Sequence, residues 1–294
     1  MQWNVVEASM SRPQLRHVNL HRALPLWPRS NTNERSIPSL ECFMFYSAPQ
    51  DAAMYLQHID PSALTNLEIF YRASIVHKRP FLCAGRFINL RSIVLESEGA
   101  WGSEGAWGDC PPFLECHQMR SFILWARYWP YLPEGTTFPV NDVTILQLAK
   151  AWPLLERLHI DCYDFHSMSL PTMRGLRALA QFCPELEALA VSFDARDSPD
   201  TPYGSYSSTK LMELEIFGTA GTMSAEDVVV SLSDLWPTAT AQLGEIGSER
   251  RGIDQEDVQT SIGQQKAFWK EVVDGLAIRR RERVVGGVVP RIGQ

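Results

Sequence analysis

The feature that most constrains this chain is a short apolar pattern, L-x-x-L-x-L with any large apolar residue at the three key places, that returns eight times. The matches are LRHVNL from Leu15, LECFMF from Leu40, LTNLEI from Leu64, LRSIVL from Leu90, MRSFIL from Met119, LERLHI from Leu155, LEALAV from Leu186 and LMELEI from Leu211. One such hexapeptide carries little information in a leucine-rich chain. Eight of them, starting 24 to 36 residues apart over about 200 residues, are the signature of a repeat architecture.

The segments between matches carry helical spacing. In Val143-Thr-Ile-Leu-Gln-Leu-Ala-Lys-Ala-Trp152, the residues Val143, Leu146 and Ala149 or Lys150 fall on one helical face. Leu176, Leu179, Ala180 and Cys183 repeat that spacing, and a third run covers 225–236. Ser224 opens the third run with Asp227 three residues on, an N-capping arrangement with Asp in place of the usual Glu. Each run stops at a proline: Trp152-Pro153, Cys183-Pro184 and Trp236-Pro237. Proline lacks the amide donor and disfavours helix in the residue before it. The predicted unit is therefore helix, Pro turn, short strand, loop. Strands that recur in one direction with crossovers between them lie parallel. No single unit can bury its apolar face, whereas a stack shares one continuous core. The expected fold is α/β: a curved leucine-rich-repeat solenoid with strands on the concave face and helices on the convex face. The expected layout is a lead-in over 1–12, about eight irregular repeats over 13–262, a capping helix over 263–278 and a flexible basic tail over 279–294. Phe268, Trp269, Val272 and Val273 mark the amphipathic face of the cap, read over 264–277.

The register also predicts what the sheet shows to solvent. The key side chains point inward, so the third, fifth and seventh positions point outward. In the central matches these are Cys42, Met44 and Tyr46; Asn66, Glu68 and Phe70; Ser92, Val94 and Glu96; Ser121, Ile123 and Trp125; and Arg157, His159 and Asp161. The later ones are smaller or more polar: Ala188, Ala190 and Ser192, then Glu213, Glu215 and Phe217. A contiguous apolar surface on an exposed sheet marks a partner site more often than chance. The candidate partner-binding residues are Tyr46, Phe70 and Trp125 as anchors, with Glu96, Arg157 and Asp161 setting orientation.

Other chemistry finds little support. The chain has no G-x-G-x-x-G, G-x-x-x-x-G-K-[ST], H-E-x-x-H or G-x-S-x-G, so a non-enzymatic protein without cofactor or metal is expected. Its six cysteines form no C-x-x-C pair and read as reduced, small apolar residues. Asp161-Cys-Tyr-Asp164-Phe-His166 reads as a polar turn, and the adjacent Cys116 and His117 point apart on an extended segment. The formal charge of −7 gives no general attraction to nucleic acid. That charge is uneven, since residues 279–294 hold five arginines against one glutamate. Such a tail could serve as a nuclear import signal or an anionic contact, and otherwise reads as solvated. No stretch approaches the roughly 20 apolar residues of a membrane span, and the N-terminus has no secretory pattern. A cytoplasmic or nuclear address follows as the expectation. A tandem Ser-Glu-Gly-Ala-Trp-Gly over 97–108, with Trp101 and Trp107, reads as a flexible insertion made by duplication.

The combination AWPLLERLHI, LPTMRGLRALAQFCPELEALAVSFDA, LMELEIFG, VVVSLSDLWP and FWKEVV resembles the leucine-rich-repeat half of fungal, basidiomycete-type F-box proteins over about 140–273, and the earlier repeats resemble it loosely. In that family the solenoid captures a protein substrate while an N-terminal F-box docks on the adaptor of a cullin-RING ubiquitin ligase. The resemblance implies a substrate-recognition module with an unidentified protein partner. An F-box occupies about 45 residues, whereas here the first repeat begins by Pro13. Docking on the adaptor is therefore expected only if an F-box lies upstream, and the alternative is a truncated or degenerate remnant with a scaffolding role or none.

Overall fold

A computed structural model of the chain describes residues 16–20, 40–46, 56–57, 59–71, 75–76, 86–97, 100–101, 111–126, 140–161, 170–195, 207–208, 210–219, 222–244 and 256–285. In chain order its strands are β1 (His17–Leu20), β2 (Cys42–Tyr46), β3 (Asn66–Tyr71), β4 (Ile75–Val76), β5 (Ser92–Ser97), β6 (Ala100–Trp101), β7 (Ser121–Ala126), β8 (Arg157–Asp161), β9 (Ala188–Asp194), β10 (Glu213–Thr219) and β11 (Thr240–Leu243). The described helices are α1 (Pro111–Leu114), α2 (Asp142–Ala151), α3 (Met173–Phe182), α4 (Ala225–Leu235) and α5 (Glu256–Val285). Nine strands form one open, wholly parallel sheet in the order β1-β2-β3-β5-β7-β8-β9-β10-β11, each beside its predecessor. The chain is thus α/β with a sheet that advances in one direction. The short ribbon of β4 and β6 stands apart and draws Ala100–Trp101 of the tandem hexapeptide into a strand, where a flexible insertion was expected. Trp107 lies outside the described residues.

The apolar pattern drives this arrangement. In the seven matches from Leu40 to Leu211, each of the three key side chains is 3% exposed or less. In the first match Val18 packs partly buried against the same core, while Leu15 lies outside the described residues. Burying one such side chain contributes about 1.5–3 kcal/mol, so the register is held by a long series of equal terms. The backbone adds a recurring device at the second position of the first seven matches. The carbonyl of Arg16 accepts the amides of both Glu41 and Cys42, and those of Glu41, Thr65, Arg91, Arg120, Glu156 and Glu187 each accept the equivalent pair from the next strand.

Five of the strands, β5, β7, β8, β9 and β11, are also approached by a turn around one buried residue. Leu90, Met119, Leu155, Leu186 and Ala239 donate their amides to the carbonyls three residues back, at Phe87, Cys116, Trp152, Cys183 and Trp236. Those five side chains are at most 2% exposed. Three reach back to earlier carbonyls: Cys116 Sγ donates to Phe87 O at 3.4 Å, Trp152 Nε1 to Phe113 O at 3.0 Å, and Cys183 Sγ to Trp152 O at 3.6 Å. Where proline follows, at Trp152, Cys183 and Trp236, the same residue caps the preceding helix by donating its amide to Leu148, Leu179 or Leu232. The proline stops therefore end the three helices as the sequence predicts, and α4 begins at Ser224, whose Oγ accepts the Asp227 amide.

Two expectations are corrected. On α2 the buried face is Ile145, Leu148 and Ala149, continued by Trp152; Val143 is 62% exposed and Lys150 faces solvent. Both series have helical spacing, and the one ending in the large Trp152 buries more apolar area. The Asp142 carboxylate fixes the same rotation. It accepts hydrogen bonds from Thr172 N (2.8 Å), Thr172 Oγ1 (2.9 Å) and Gly175 N (2.9 Å), so the first residue of α2 caps α3. The second correction concerns the C-terminus. The last helix runs over Glu256–Val285, through the arginines expected in a flexible tail. Arg283 donates to Ser233 O and to Asp234, and Arg280 to Thr240 Oγ1. Along α5, Trp269, Val272 and Leu276 are buried against α4, β10 and β11. Trp269 Nε1 donates to Gly218 O at 2.9 Å, and its ring meets Phe193 edge-on at 4.8 Å.

Candidate functional site

The face of the sheet opposite the key side chains is the candidate site, and register decides which residues on it are neighbours. Tyr46 is aligned with Phe70, Phe70 with Glu96, Glu96 with Trp125 and Trp125 with Asp161. Five of the six sequence-predicted residues therefore form one unbroken row across β2, β3, β5, β7 and β8, at the roughly 4.8 Å step between parallel strands. Arg157, the sixth, lies on β8 in a different row, aligned with Ser121 and Ala188, and is exposed. The Asp161 side chain lies outside what is described, so only its register position is fixed. Tyr46, Phe70, Glu96 and Trp125 are all half-buried, as side chains standing on a sheet shelter one another.

The row is packed. The Tyr46 and Phe70 rings stack with centroids 4.3 Å apart and planes 7° from parallel. The Trp125 ring meets the His159 ring at 5.4 Å and 60°. Aromatic pairs of this kind are worth about 0.5–1.5 kcal/mol beyond their buried area. Burial pushes the His159 imidazole below its ordinary pKa and favours the neutral ring beside Trp125.

A second row runs beneath the first, through Met44, Glu68, Val94, Ile123 and His159. Here Glu68 stands between Met44 and Val94. Desolvation raises the Glu68 carboxyl above the usual range, and the nearby Cys42 thiol is raised by its own burial first and by the Glu68 charge second. The repeat register places Glu68 on this face outside the six candidate partner-binding residues; it is the one acidic residue in a row whose other members are Met44, Val94, Ile123 and His159. The apolar character does not persist. On β9, Ala190 and Ser192 are 6% and 3% exposed, small residues sunk between larger neighbours.

Among the described residues, no group of three or more His, Cys, Asp or Glu side chains could hold a metal ion. Cys116 and His117 lie in the turn that follows α1, not on the extended segment expected; Cys116 is buried and donates to Phe87 O, whereas the exposed His117 faces Ala151 O through Nδ1 at 3.1 Å. Burial pushes the Cys116 and Cys183 thiols up to about 12, which leaves both protonated and unreactive at neutral pH. Residues 162–166 of the Asp161–His166 segment lie outside the described residues. No described helix is long and apolar enough to cross a membrane. The chain matches no protein-family model and no curated protein.

Proposed function

We propose that the chain is a non-catalytic protein-interaction module, a leucine-rich-repeat solenoid that binds a protein partner on its exposed sheet face. The observation that carries this reading is the row Tyr46, Phe70, Glu96 and Trp125, where residues 24 to 29 positions apart in sequence become cross-strand neighbours. Three aromatic rings within four adjacent strands are a costly thing to leave facing solvent, and such residues dominate binding energy at protein interfaces. The solenoid reading is supported by the one-directional strand order, the two-amide carbonyls and the buried turn residue before five of the strands. Arg157 and Asp161 orient the partner at the far end of the face. The sequence resemblance extends the proposal to the substrate-recognition half of an F-box-type ubiquitin ligase subunit, acting in the cytoplasm or nucleus.

Changing Tyr46, Phe70 and Trp125 together to Ala tests the reading. A partner isolated with the wild-type chain should be lost from the triple variant while its circular dichroism and cooperative melting persist. Retention of the partner by a folded triple variant would overturn the proposal, and so would collapse of the fold in each of the three single variants, which would place these rings in the core.

A further inference from the structure

Charge on the candidate face is lopsided. The outward third, fifth and seventh positions of β2 to β10 carry Glu68, Glu96, Asp161, Glu213 and Glu215 against one cation, Arg157. Burial disfavours a charge on His159, the imidazole among these positions of β8. Glu68 is the informative member of the set. It lies in the middle of the apolar patch, flanked by Met44 and Val94 in its own row and by Phe70 two residues along β3. Among the described residues it has no ion pair and no hydrogen bond. A half-buried carboxylate in such a setting loses hydration and gains nothing in return. The arrangement becomes favourable once a cation arrives from outside, because the same desolvation then strengthens the ion pair. The rings beside it suit the rest of such a side chain: the stem of a lysine or arginine lies well on apolar surface, and a guanidinium stacks on aromatic faces.

We propose that the partner is a basic protein segment, which places a lysine or arginine cation on Glu68 and the apolar stem of that side chain over Met44, Tyr46 and Phe70. The inference rests on the partner-binding reading of the face and adds to it the chemical class of the partner.

The test uses the full chain, immobilised, and a displayed library of random 12-residue peptides as the probe. The wild-type chain should enrich peptides rich in Lys and Arg. Glu68→Gln, close to isosteric and uncharged, should weaken the best of them by about tenfold, the scale expected when one member of a partly desolvated ion pair is neutralised. Glu68→Lys should shift the selection toward peptides rich in Asp and Glu, and that reversal is the decisive result. Enrichment of neutral or acidic peptides by the wild-type chain would overturn the basic partner, as would a selection unchanged by Glu68→Lys. If those peptides were nonetheless lost in Phe70→Ala, the binding face would stand and only its charge preference would fall. Peptides that survive Phe70→Ala, or a selection that enriches nothing, would overturn both.

Discussion

The two halves of the sheet solve different problems. From α2 onward, helices of ten residues or more stand between β7 and β8, between β8 and β9, and between β10 and β11, and the outward Ala190 and Ser192 of β9 are small and sunk. From β2 to β7 the outward positions hold Tyr46, Phe70, Val94, Ile123 and Trp125, and among the described residues no helix of that length intervenes. Inward-facing chemistry is the same in both halves, since the key side chains are buried throughout. The difference lies in the polar and terminal contacts. Both halves hold polar contacts between distant segments, such as Arg86 to Ile59 O and Cys116 to Phe87 O in the N-terminal half, but the C-terminal half adds a cap across two helices from Asp142 to α3, Trp269 onto Gly218, and Arg283 onto α4. The N-terminal half places its distinctive residues on the outside, where they contribute less to stability. On the proposed function, one half is the anchor and the other the working surface.

The largest expected effect would break the anchor. Gly218 has φ +142°, and a Cβ there would lie 1.9 Å from Phe193 O, so Gly218→Ala should cost upward of about 3 kcal/mol and leave little folded chain by circular dichroism. Trp269→Ala should cost roughly 3–5 kcal/mol in chemical denaturation, because it empties a fully buried site and leaves Gly218 O without its donor. The matching change on the working surface, Phe70→Ala, should cost well under half of that. Equal losses would show that the halves do not differ as argued.

Smaller changes sharpen the contrast. Asp142→Ala removes three hydrogen bonds to the start of α3 and should cost about 1–2 kcal/mol, with Asp142→Asn recovering part of it. Hydrogen exchange should then accelerate in α3 and leave β2 and β3 unchanged. The smallest effect is at Glu68. Its folded-state pKa lies above the unfolded value, so the stability it confers is present in acid and lost as pH rises through the folded pKa. Glu68→Gln should therefore stabilise the chain slightly at pH 7, by less than about 1 kcal/mol, and the gain should vanish in acid. A variant more stable yet weaker in binding is what a carboxylate kept for a partner predicts. His159 works in the opposite sense: its folded pKa is depressed, so stability should fall as pH drops below about 6.5, and His159→Gln should flatten that loss.

Much of the local plan was legible in the order of residues. The key positions of each apolar match, the proline stops after α2, α3 and α4, and the Ser224 cap all follow from local chemistry: period-two alternation, a missing amide, a side-chain oxygen near a free N–H. The face of α2 was not, because Val143 and Ile145 begin two equally apolar series and only Trp152 and Asp142, through contacts with residues 30 or more positions away, choose between them. Nor was the length of α5. A run of arginines reads as solvated until Thr240, Ser233 and Asp234 are seen beside it.

For the candidate face, the sequence by itself determined which residues point outward, since one register step would turn every key side chain into solvent. Only the tertiary structure decided which of them meet. Tyr46 and Phe70 stack because β2 and β3 pair without offset, and Arg157 stands outside the row that holds the other five because it begins β8 whereas Asp161 ends it. Alternation is a property of each strand alone. Alignment between strands is set by the shared core and by the length of chain that joins them, quantities that no single segment contains.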